Sequence, residues 1–264
     1  MTDPTPDPRS CAVLGRQAPP PTRWAAYGDH PDQVYDVREP AHPLGATVLV
    51  VHGGFWRMVY DRAHVGSQAA ALADAGFHVA VAEYRRGRMP PSSLPAALPD
   101  LRDLVAAVRA DARLPKRLVL VGHSAGGQLV AWAANQPWAE DLAGVVVLAG
   151  CVDLAATFAM RLGDGAGSDW LGSTPEQAPE VWQVADPMTS LPPRVPVRLL
   201  HGRQDEIVPV SVTDRYVQRC RDLGADVRLE VLDGCGHYSL IDPRAPAFAQ
   251  VVTVLHGLAV PTAH

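Results

Sequence analysis

Short runs of consecutive apolar residues recur along the chain, separated by longer stretches in which apolar residues have helical spacing. Continuous apolar runs are typical of strands that are buried on both faces of a sheet. These runs predict strands at 46–53, 77–85, 116–124, 143–150, 196–202 and 226–234. The stretches between them, in which apolar residues recur every three or four positions, predict helices at 65–76, 98–112, 126–136, 211–224 and 246–259.

The alternation of strand and helix predicts the overall architecture. It is typical of an α/β protein with a doubly wound, mostly parallel sheet that is covered by helices on both faces. Residues 33–40 (QVYDVREP) alternate between polar and apolar side chains and predict an antiparallel edge strand. Residues 151–195 replace one crossover helix with about 45 residues, which predicts a lid-like insertion. The proline-rich residues 1–22 predict a mobile N-terminal arm, and 23–264 a single domain.

Composition and charge exclude several classes of protein. Hydrophobic residues make up 47% of the chain and charged residues 19%, which is ordinary for a globular enzyme and too apolar for a disordered chain. The net charge of −5 provides no basic surface for nucleic acid. The longest apolar run, 143–150, is too short to span a bilayer. We therefore expect neither a nucleic acid nor a membrane as partner, and the oligomeric state stays open.

The cysteines and the N-terminus bear on the compartment and on metals. The four cysteines form no CxxC pair, and the histidines show no spacing such as HExxH, so we expect no metal and no cofactor. The same cysteine pattern fits a reducing compartment. Residues 1–23 have neither a basic leader nor an apolar core and do not read as a signal peptide. These features together predict a cytoplasmic protein.

The strongest chemical motif lies between a predicted strand and a predicted helix. In sheets of this kind, ligands bind beyond the carboxyl ends of the strands. Residues 122–127 (GHSAGG) fit the pattern G-x-S-x-G at such a strand end, where the glycines permit a tight turn that exposes Ser124. The alternative, that Ser124 is only the N-cap of a helix, is weaker in this context. The motif therefore predicts Ser124 as a nucleophile.

A serine nucleophile needs a base, and the base needs an acidic partner that orients it. In this architecture the acid and then the histidine follow the serine, each after a later strand. Asp205 follows the strand at 196–202, and His237 lies in a glycine-flanked loop after the last strand, so they are predicted as acid and base. The competing residues near these strand ends are less suitably placed: Glu206, Asp233, Asp242, His201 and His123.

The sequence HGGFW (52–56) ends the first long apolar strand. Its two glycines allow the backbone to turn so that N–H groups point at a carbonyl oxygen that gains negative charge. The N–H groups of Gly54, Phe55 and Ala125 are predicted to form this oxyanion hole. His52 is expected to brace the loop through hydrogen bonds, and Trp56 to pack rather than to contact substrate.

These motifs together resemble those of the α/β-hydrolases, in the branch of esterases and arylformamidases. HGGFW is similar to the HGG-x-W loop of kynurenine formamidases and to the HGGG loop of hormone-sensitive-lipase-like esterases, and 170–192 is similar to the stretch before the acid strand in those esterases. The resemblance covers about residues 25–260. Phe55, which stands where lipase-like esterases have a third glycine, favours the formamidase pattern.

The resemblance implies a serine hydrolase that cleaves small acyl esters through an acyl-enzyme, so that a small ester or formamide is the expected partner. An arylformamidase acting on N-formylkynurenine is the alternative enzyme, and a non-catalytic receptor or scaffold of the same fold is the alternative from another class. Ser124 disfavours a dehalogenase, whose nucleophile is a carboxylate. The residues expected to contact substrate are Phe55, His123, Trp170 and Trp182, the two tryptophans as part of an apolar cover in 151–195.

Overall fold

The structure is a computed structural model that describes residues 12–90 and 93–260. Eight strands of this part of the chain form one sheet in the order β1-β2-β4-β3-β5-β6-β7-β8. The strands from β3 to β8 run parallel to one another, whereas β1 and β2 are antiparallel to their neighbours. Their bounds are β1 Arg23–Ala26, β2 Val34–Arg38, β3 Thr47–Val51, β4 His78–Ala82, β5 Leu118–His123, β6 Gly144–Leu148, β7 Val197–Gly202 and β8 Val227–Leu232.

Helices connect the parallel strands, as the helical spacing predicts. Their bounds are α1 Gly66–Asp74, α2 Ala97–Ala110, α3 Ala125–Ala134, α4 Leu154–Ala159, α5 Leu162–Leu171, α6 Pro179–Ala185, α7 Val210–Asp222 and α8 Pro246–Ala259. Short 3-10 helices lie at Arg62–Val65, Pro137–Ala139, Pro187–Thr189 and His237–Leu240. The six strands and five helices predicted from apolar periodicity are all present, with ends that differ by at most three residues.

The core consists of two layers, one on each face of the sheet. In β3, Leu49 and Val51 face the layer covered by α2, α3 and α7, while Val48 and Val50 face the layer covered by α1 and α8. All four side chains are buried, because helices pack on both faces and consecutive residues of a strand point to opposite faces. The chain has a doubly wound, mostly parallel sheet with helices on both faces, which confirms the predicted fold class.

The N-terminal edge of the sheet differs from the prediction. β2 is antiparallel to β4, as its alternating pattern indicates, but it is not the edge strand. The edge is β1, which pairs with β2 from Arg23↔Val37 to Ala26↔Val34. With four residues and no β-branched side chain, β1 has too weak a sequence signal to predict.

The N-terminal arm predicted for 1–22 lies partly outside the described residues. The described part, 12–22, packs on the domain instead of standing free: Val13 is buried against the layer of α1 and α8, and Arg16 forms an ion pair with Asp242. These contacts attach 12–22 to the domain, and the mobility of 1–22 stays a prediction. Within 12–90 and 93–260, no helix combines the length and apolarity needed to cross a bilayer.

Candidate active site

Ser124 lies at the carboxyl end of β5, directly before α3, in a sharply turned conformation with φ 55° and ψ −118°. Positive φ is strained for a serine, and the surrounding structure has to enforce it. The backbone packs so closely here that a Cβ on Gly122 would lie 2.2 Å from the carbonyl oxygen of Gly126, and one on Gly126 would lie 2.2 Å from that of Val51. Only glycine fits at either position, which explains the G-x-S-x-G spacing.

Asp205 and His237 come together from separate loops, one after β7 and one after β8. The Oδ2 atom of Asp205 lies 2.7 Å from Nδ1 of His237, and both side chains are almost fully buried. The other carboxylate oxygen of Asp205 accepts hydrogen bonds from the backbone N–H groups of Ile207 and Val208 at 2.9 and 2.8 Å. The carboxylate is thereby fixed in one orientation, and it fixes the imidazole in turn.

A second histidine supports the same carboxylate. Nε2 of His201 lies 3.3 Å from Oδ2 of Asp205 and 2.8 Å from the carbonyl oxygen of Val208, while its Nδ1 lies 2.7 Å from Oγ1 of Thr213. Burial by itself would raise the pKa of Asp205. The neighbouring His237, the hydrogen bonds from His201 and His237, and the N–H of Val208 outweigh burial and lower that pKa below its ordinary value. Asp205 is therefore ionised at every pH at which it has to orient His237.

The other acidic candidates lie elsewhere or are exposed. The side chain of Asp233 is 80% exposed and forms an ion pair with Arg203. Asp242 is bound by Arg16. Glu206 is exposed and lies at the rim of the pocket. Of the carboxylates weighed in the sequence, Asp205 is the one that contacts His237.

The HGGFW loop turns away from β3 through three consecutive residues with positive φ: Gly54 at 110°, Phe55 at 50° and Trp56 at 55°. Trp56 is buried, stacks on Trp170 with ring centroids 4.6 Å apart, and donates to Gln128 of α3 at 3.0 Å. As predicted, Trp56 packs in the core. Its contacts fix the two residues for which a positive φ is strained, Phe55 and Trp56 itself.

His52 braces the start of this loop, as predicted. Its Nδ1 lies 2.8 Å from the carbonyl oxygen of Gly53, and its Nε2 lies 3.1 Å from the carboxylate of Glu83, the residue after β4. The ring stacks on Tyr84 at 4.6 Å, and the Tyr84 hydroxyl donates to the backbone carbonyl of His52 at 2.8 Å. The loop is therefore connected to the neighbouring strand end by buried hydrogen bonds.

These elements surround a pocket of about 190 Å³ at the carboxyl ends of the strands. Of the predicted site residues, Gly54, Phe55, His123, Ser124 and His237 line it. Ala125 follows Ser124 as the first residue of α3. The residues that line the pocket without having been predicted from the sequence are Arg57, Tyr60, His64, Gly163, Asp164, Ile207 and Tyr238. These single residues carry no motif. Arg57, Tyr60 and Ile207 lie within a few residues of HGGFW or Asp205, whereas Gly163 and Asp164 have no signal beyond their place in the segment 151–195.

The structure corrects the prediction for the two tryptophans. Trp170 and Trp182 are 1% and 5% exposed and belong to the core layer on the side of α2 and α3, and neither lines the pocket that contains Ser124. Trp170 stacks on Trp56, and Trp182 packs edge-on against Phe158. Burying these large apolar rings in the core is energetically more favourable than exposing them at the pocket. From the 151–195 segment it is instead Gly163 and Asp164 that line the pocket.

The chain is similar to one protein family and to individual proteins of known name. The BD-FAE family model matches residues 33–219, more than two thirds of the chain. The chain is 27% identical over 198 residues to a Mycobacterium tuberculosis protein named as acetyl-hydrolase LipR, with 69% of this chain and 64% of that protein covered. It is 25% identical over 268 residues to an Oryza sativa subsp. japonica protein named as isoprenylcysteine alpha-carbonyl methylesterase ICME, with 89% of this chain and 64% of that protein covered. The chain thus spans less than two thirds of the length of either relative.

Solved structures share the fold at low sequence identity. A truncated carbohydrate esterase from gut microbiota superposes with a TM-score of 0.74 at 18% identity, over 89% of this chain and 94% of that one. At this identity the likeness concerns the arrangement of the sheet and helices, in agreement with the strand order described above.

Proposed function

The chain belongs to the BD-FAE family, and from that membership and the geometry of its pocket we propose that it is a carboxylic ester hydrolase that forms an acyl-enzyme on Ser124. The observation that carries the proposal is the 2.7 Å contact between Asp205 and His237, which lies in the same pocket as a serine held at a strained strand-to-helix turn. A serine, a base and an acid in this order are the parts that acyl transfer requires. The names of the relatives, acetyl-hydrolase and methylesterase, support the same class.

The reaction starts with proton transfer. Asp205 accepts the Nδ1–H of His237, which leaves Nε2 of the imidazole free to take the hydroxyl proton of Ser124. The oxygen of Ser124 attacks the ester carbonyl and gives a tetrahedral intermediate with a negative oxygen. The protonated His237 then gives its proton to the alcohol oxygen as the bond to the acyl carbon breaks. Water repeats the sequence on the acyl-enzyme, releases the carboxylic acid and restores Ser124.

The negative oxygen of the intermediate needs donors that are already in place. We assign this role to the N–H groups of Gly54, Phe55 and Ala125. Gly54 and Phe55 lie on the turned loop that Trp56 and His52 hold rigid, and Ala125 begins α3, whose N-terminus favours negative charge. One such donor contributes about 3 to 4 kcal/mol to stabilisation of the transition state.

A fluorophosphonate probe tests the nucleophile. It should add its mass to the peptide that contains Ser124, and Ser124→Ala should abolish both labelling and hydrolysis of p-nitrophenyl acetate. Ser173→Ala is the matched control, because Ser173 is a buried serine outside the pocket. Labelling of another residue, or full turnover by Ser124→Ala, would contradict the proposal.

The small pocket and the ring of Phe55 favour short acyl groups. Phe55 lies in the pocket lining and is close enough to the segment after β6 that a Cβ on Gly163 would come within 2.8 Å of its ring. Each methylene that fits or fails in such a pocket changes transition-state binding by about 1 to 3 kcal/mol, so the preference should be graded. We expect kcat/KM for p-nitrophenyl esters to be highest for acetyl to butyryl and to fall for longer chains. N-formylkynurenine should be measured in the same assay. Faster turnover of N-formylkynurenine than of the acetyl ester would mean that the substrate is a formamide and not an ester.

A further inference from the structure

Glu83 is a buried carboxylate beside the candidate site that the proposed reaction does not use. It directly follows β4, is 2% exposed and does not line the pocket. Its carboxylate accepts hydrogen bonds from the N–H groups of Arg62 and Tyr84 and from the guanidinium of Arg86. Burial by itself would raise the pKa of Glu83, but the hydrogen bond and the charge of His52, followed by the contacts with the two arginines, outweigh burial and lower that pKa. Glu83 is therefore ionised.

The ionised carboxylate fixes the hydrogens on the ring of His52. Nε2 of His52 lies 3.1 Å from a carboxylate oxygen of Glu83, and Nδ1 lies 2.8 Å from the carbonyl oxygen of Gly53. Both oxygens can only accept a hydrogen bond, so each ring nitrogen has to donate one. An imidazole that donates from both nitrogens is protonated and positively charged. The negative charge of Glu83 compensates this buried positive charge.

The contact between His52 and Gly53 sets the direction of a group in the oxyanion hole. The carbonyl of Gly53 and the N–H of Gly54 belong to one peptide unit, which is planar and trans, so the two groups point in opposite directions. Because Nδ1 of His52 holds the carbonyl on the side of the imidazole, the N–H of Gly54 points away from the imidazole. Gly54 lines the pocket, and no hydrogen bond among the described residues uses its N–H. This N–H is therefore free to bind the oxygen of the intermediate.

The neighbouring donor is held without the help of a side chain. The carbonyl of Gly54 accepts from the N–H of Arg57 at 3.0 Å, so the turn itself fixes the peptide that carries the N–H of Phe55. The carbonyl of Gly53 has no such backbone donor within 12–90 and 93–260, and its hydrogen bond comes from His52. The orientation of this first peptide consequently depends on the imidazole and on the group that holds the imidazole.

We infer that Glu83 is a positioning residue: acting through His52, it aims the N–H of Gly54 at the oxygen of the tetrahedral intermediate. The inference rests on the proposed function, because it concerns the oxyanion hole of the same site. Without Glu83 the imidazole loses its counter-charge and the partner of Nε2, so the peptide that it holds can rotate. The transition state then loses one donor, while the pocket that binds the substrate keeps its lining.

Steady-state kinetics with p-nitrophenyl acetate test the inference in Glu83→Leu. This variant should lower kcat by about 100-fold, the low end of the effect of removing one oxyanion-hole donor. It should leave KM unchanged, because the lost interaction forms only in the transition state. Glu83→Gln should lose much less, since its amide can donate to Nε2 of an imidazole that keeps its hydrogen on Nδ1.

The variants of Glu83 leave its two arginines with other acceptors. Arg86 also donates to the carbonyls of Tyr60 and Tyr84, and Arg62 also pairs with Asp36. Expressing kcat per molecule that the fluorophosphonate labels at completion removes the contribution of any unfolded fraction.

Asp100→Leu is the matched control. Asp100 is likewise a fully buried carboxylate and pairs with Arg85, two residues after Glu83, but neither Asp100 nor Arg85 lines the pocket. The control should lose stability in urea and keep the wild-type kcat. An equal fall of kcat in Asp100→Leu and Glu83→Leu, or a rise of KM in Glu83→Leu without a fall of kcat, would overturn the inference.

A double-mutant cycle tests whether the effect passes through His52. His52→Phe keeps a ring that can stack on Tyr84 but cannot donate to Gly53, so it should lower kcat by a factor similar to that of Glu83→Leu. If Glu83 acts through His52, the double variant should lose no more kcat than either single variant. Losses that multiply would show that the two residues act independently and would overturn the inference.

The wild-type protein provides a measurement that needs neither a variant nor a substrate. Nitrogen-15 NMR of the histidine side chains at pH 7 should show that both ring nitrogens of His52 carry a hydrogen. An unprotonated ring nitrogen in His52 would overturn the inference, because Glu83 or Gly53 would then lack its donor. Failure of the wild type to hydrolyse any p-nitrophenyl ester would instead overturn the proposed function, whereas a wild-type kcat in Glu83→Leu would overturn this inference alone.

Discussion

Two pairs of buried histidines surround the candidate site, and they differ in how their ring nitrogens are used. Both nitrogens of His201 have partners, and Nδ1 of His237 contacts Asp205 at 2.7 Å. On the other side, both nitrogens of His64 and Nδ1 of His123 are buried without a hydrogen-bond partner among the described residues, while Nε2 of His123 lies 3.0 Å from the carbonyl oxygen of His237. In the first pair, His201 lies in β7 and His237 begins the 3-10 helix that follows β8, whereas in the second pair His64 lies in the 3-10 helix after the HGGFW loop and His123 ends β5.

The difference bears on proton transfer, which requires one fixed geometry. Buried polar groups whose hydrogen bonds are all made hold such a geometry. The low pKa values of His64 and His123, both lowered chiefly by burial, mean that these two rings are neutral and cannot compete with His237 as charged groups in the pocket.

The largest expected effect comes from removing the charge of the carboxylate that orients His237. Asp205→Asn should lower kcat for p-nitrophenyl acetate by about four orders of magnitude, because the amide cannot hold the imidazole in its required tautomer. Asp233→Asn is the control, since that exposed carboxylate contacts Arg203 and should leave kcat unchanged. Steady-state kinetics on both variants decide the matter, and a large loss in Asp233→Asn with none in Asp205→Asn would reverse the assignment.

The next effect concerns stability and compares one histidine from each side. His201→Phe should lower the free energy of unfolding by about 3 kcal/mol or more, because Thr213, the carbonyl of Val208 and the carboxylate of Asp205 all lose a partner. His64→Phe should change it by less than about 1 kcal/mol, since no hydrogen bond of the described structure is lost. Urea unfolding of the two variants measures both values. Equal losses would mean that His64 has partners comparable to those of His201.

Much of this arrangement could be predicted from the sequence, for identifiable reasons. The parallel strands and their helices follow from continuous apolar runs and helical spacing, because the sheet is buried on both faces. Ser124 is marked by glycines that no other residue can replace, and Asp205 and His237 by their positions after strands in a fixed order. Each of these signals comes from local backbone chemistry that the sequence expresses directly.

What could not be predicted depends on packing between distant segments. Trp170 is a large apolar residue of the kind that can cover a substrate. It is buried instead, because it stacks on Trp56, which lies more than a hundred positions earlier in the sequence. His64 carries no motif, and its place in the pocket lining depends on how the chain folds. The edge strand β1 forms because β2 offers a free edge, not because its four residues favour a strand.

A smaller effect appears in acid. Because the folded-state pKa of His64, about 3, lies below the unfolded value of 6.5, the unfolded chain binds protons more readily and stability falls as the pH falls. Between pH 7 and pH 5 this residue should account for a loss of about 2 kcal/mol in the free energy of unfolding. Urea unfolding at the two pH values should therefore give a smaller loss for His64→Phe than for the wild type. An identical loss in both proteins would show that His64 is accessible to protons in the folded state.

The smallest effect has the opposite sign and comes from a second buried carboxylate. Asp186 accepts hydrogen bonds from the N–H groups of Met188 and Ala155 but, unlike Asp205, contacts no histidine in the part of the chain that the structure describes. Burial, together with the nearby Asp153, raises its pKa to about 6, against an ordinary value of 3.8.

The folded state therefore holds the proton of Asp186 more tightly than the unfolded chain does, and the stability that this proton contributes is lost as the pH rises through 6. Between pH 5 and pH 7 the loss should amount to about 1 kcal/mol, and it should disappear in Asp186→Asn, which cannot ionise. Asp226→Asn is the control, because that carboxylate is paired with Arg198, which lowers its pKa instead. If Asp186→Asn kept the wild-type pH dependence over this interval, the carboxylate would be ionised in the folded protein, and the contrast between Asp186 and Asp205 would fail.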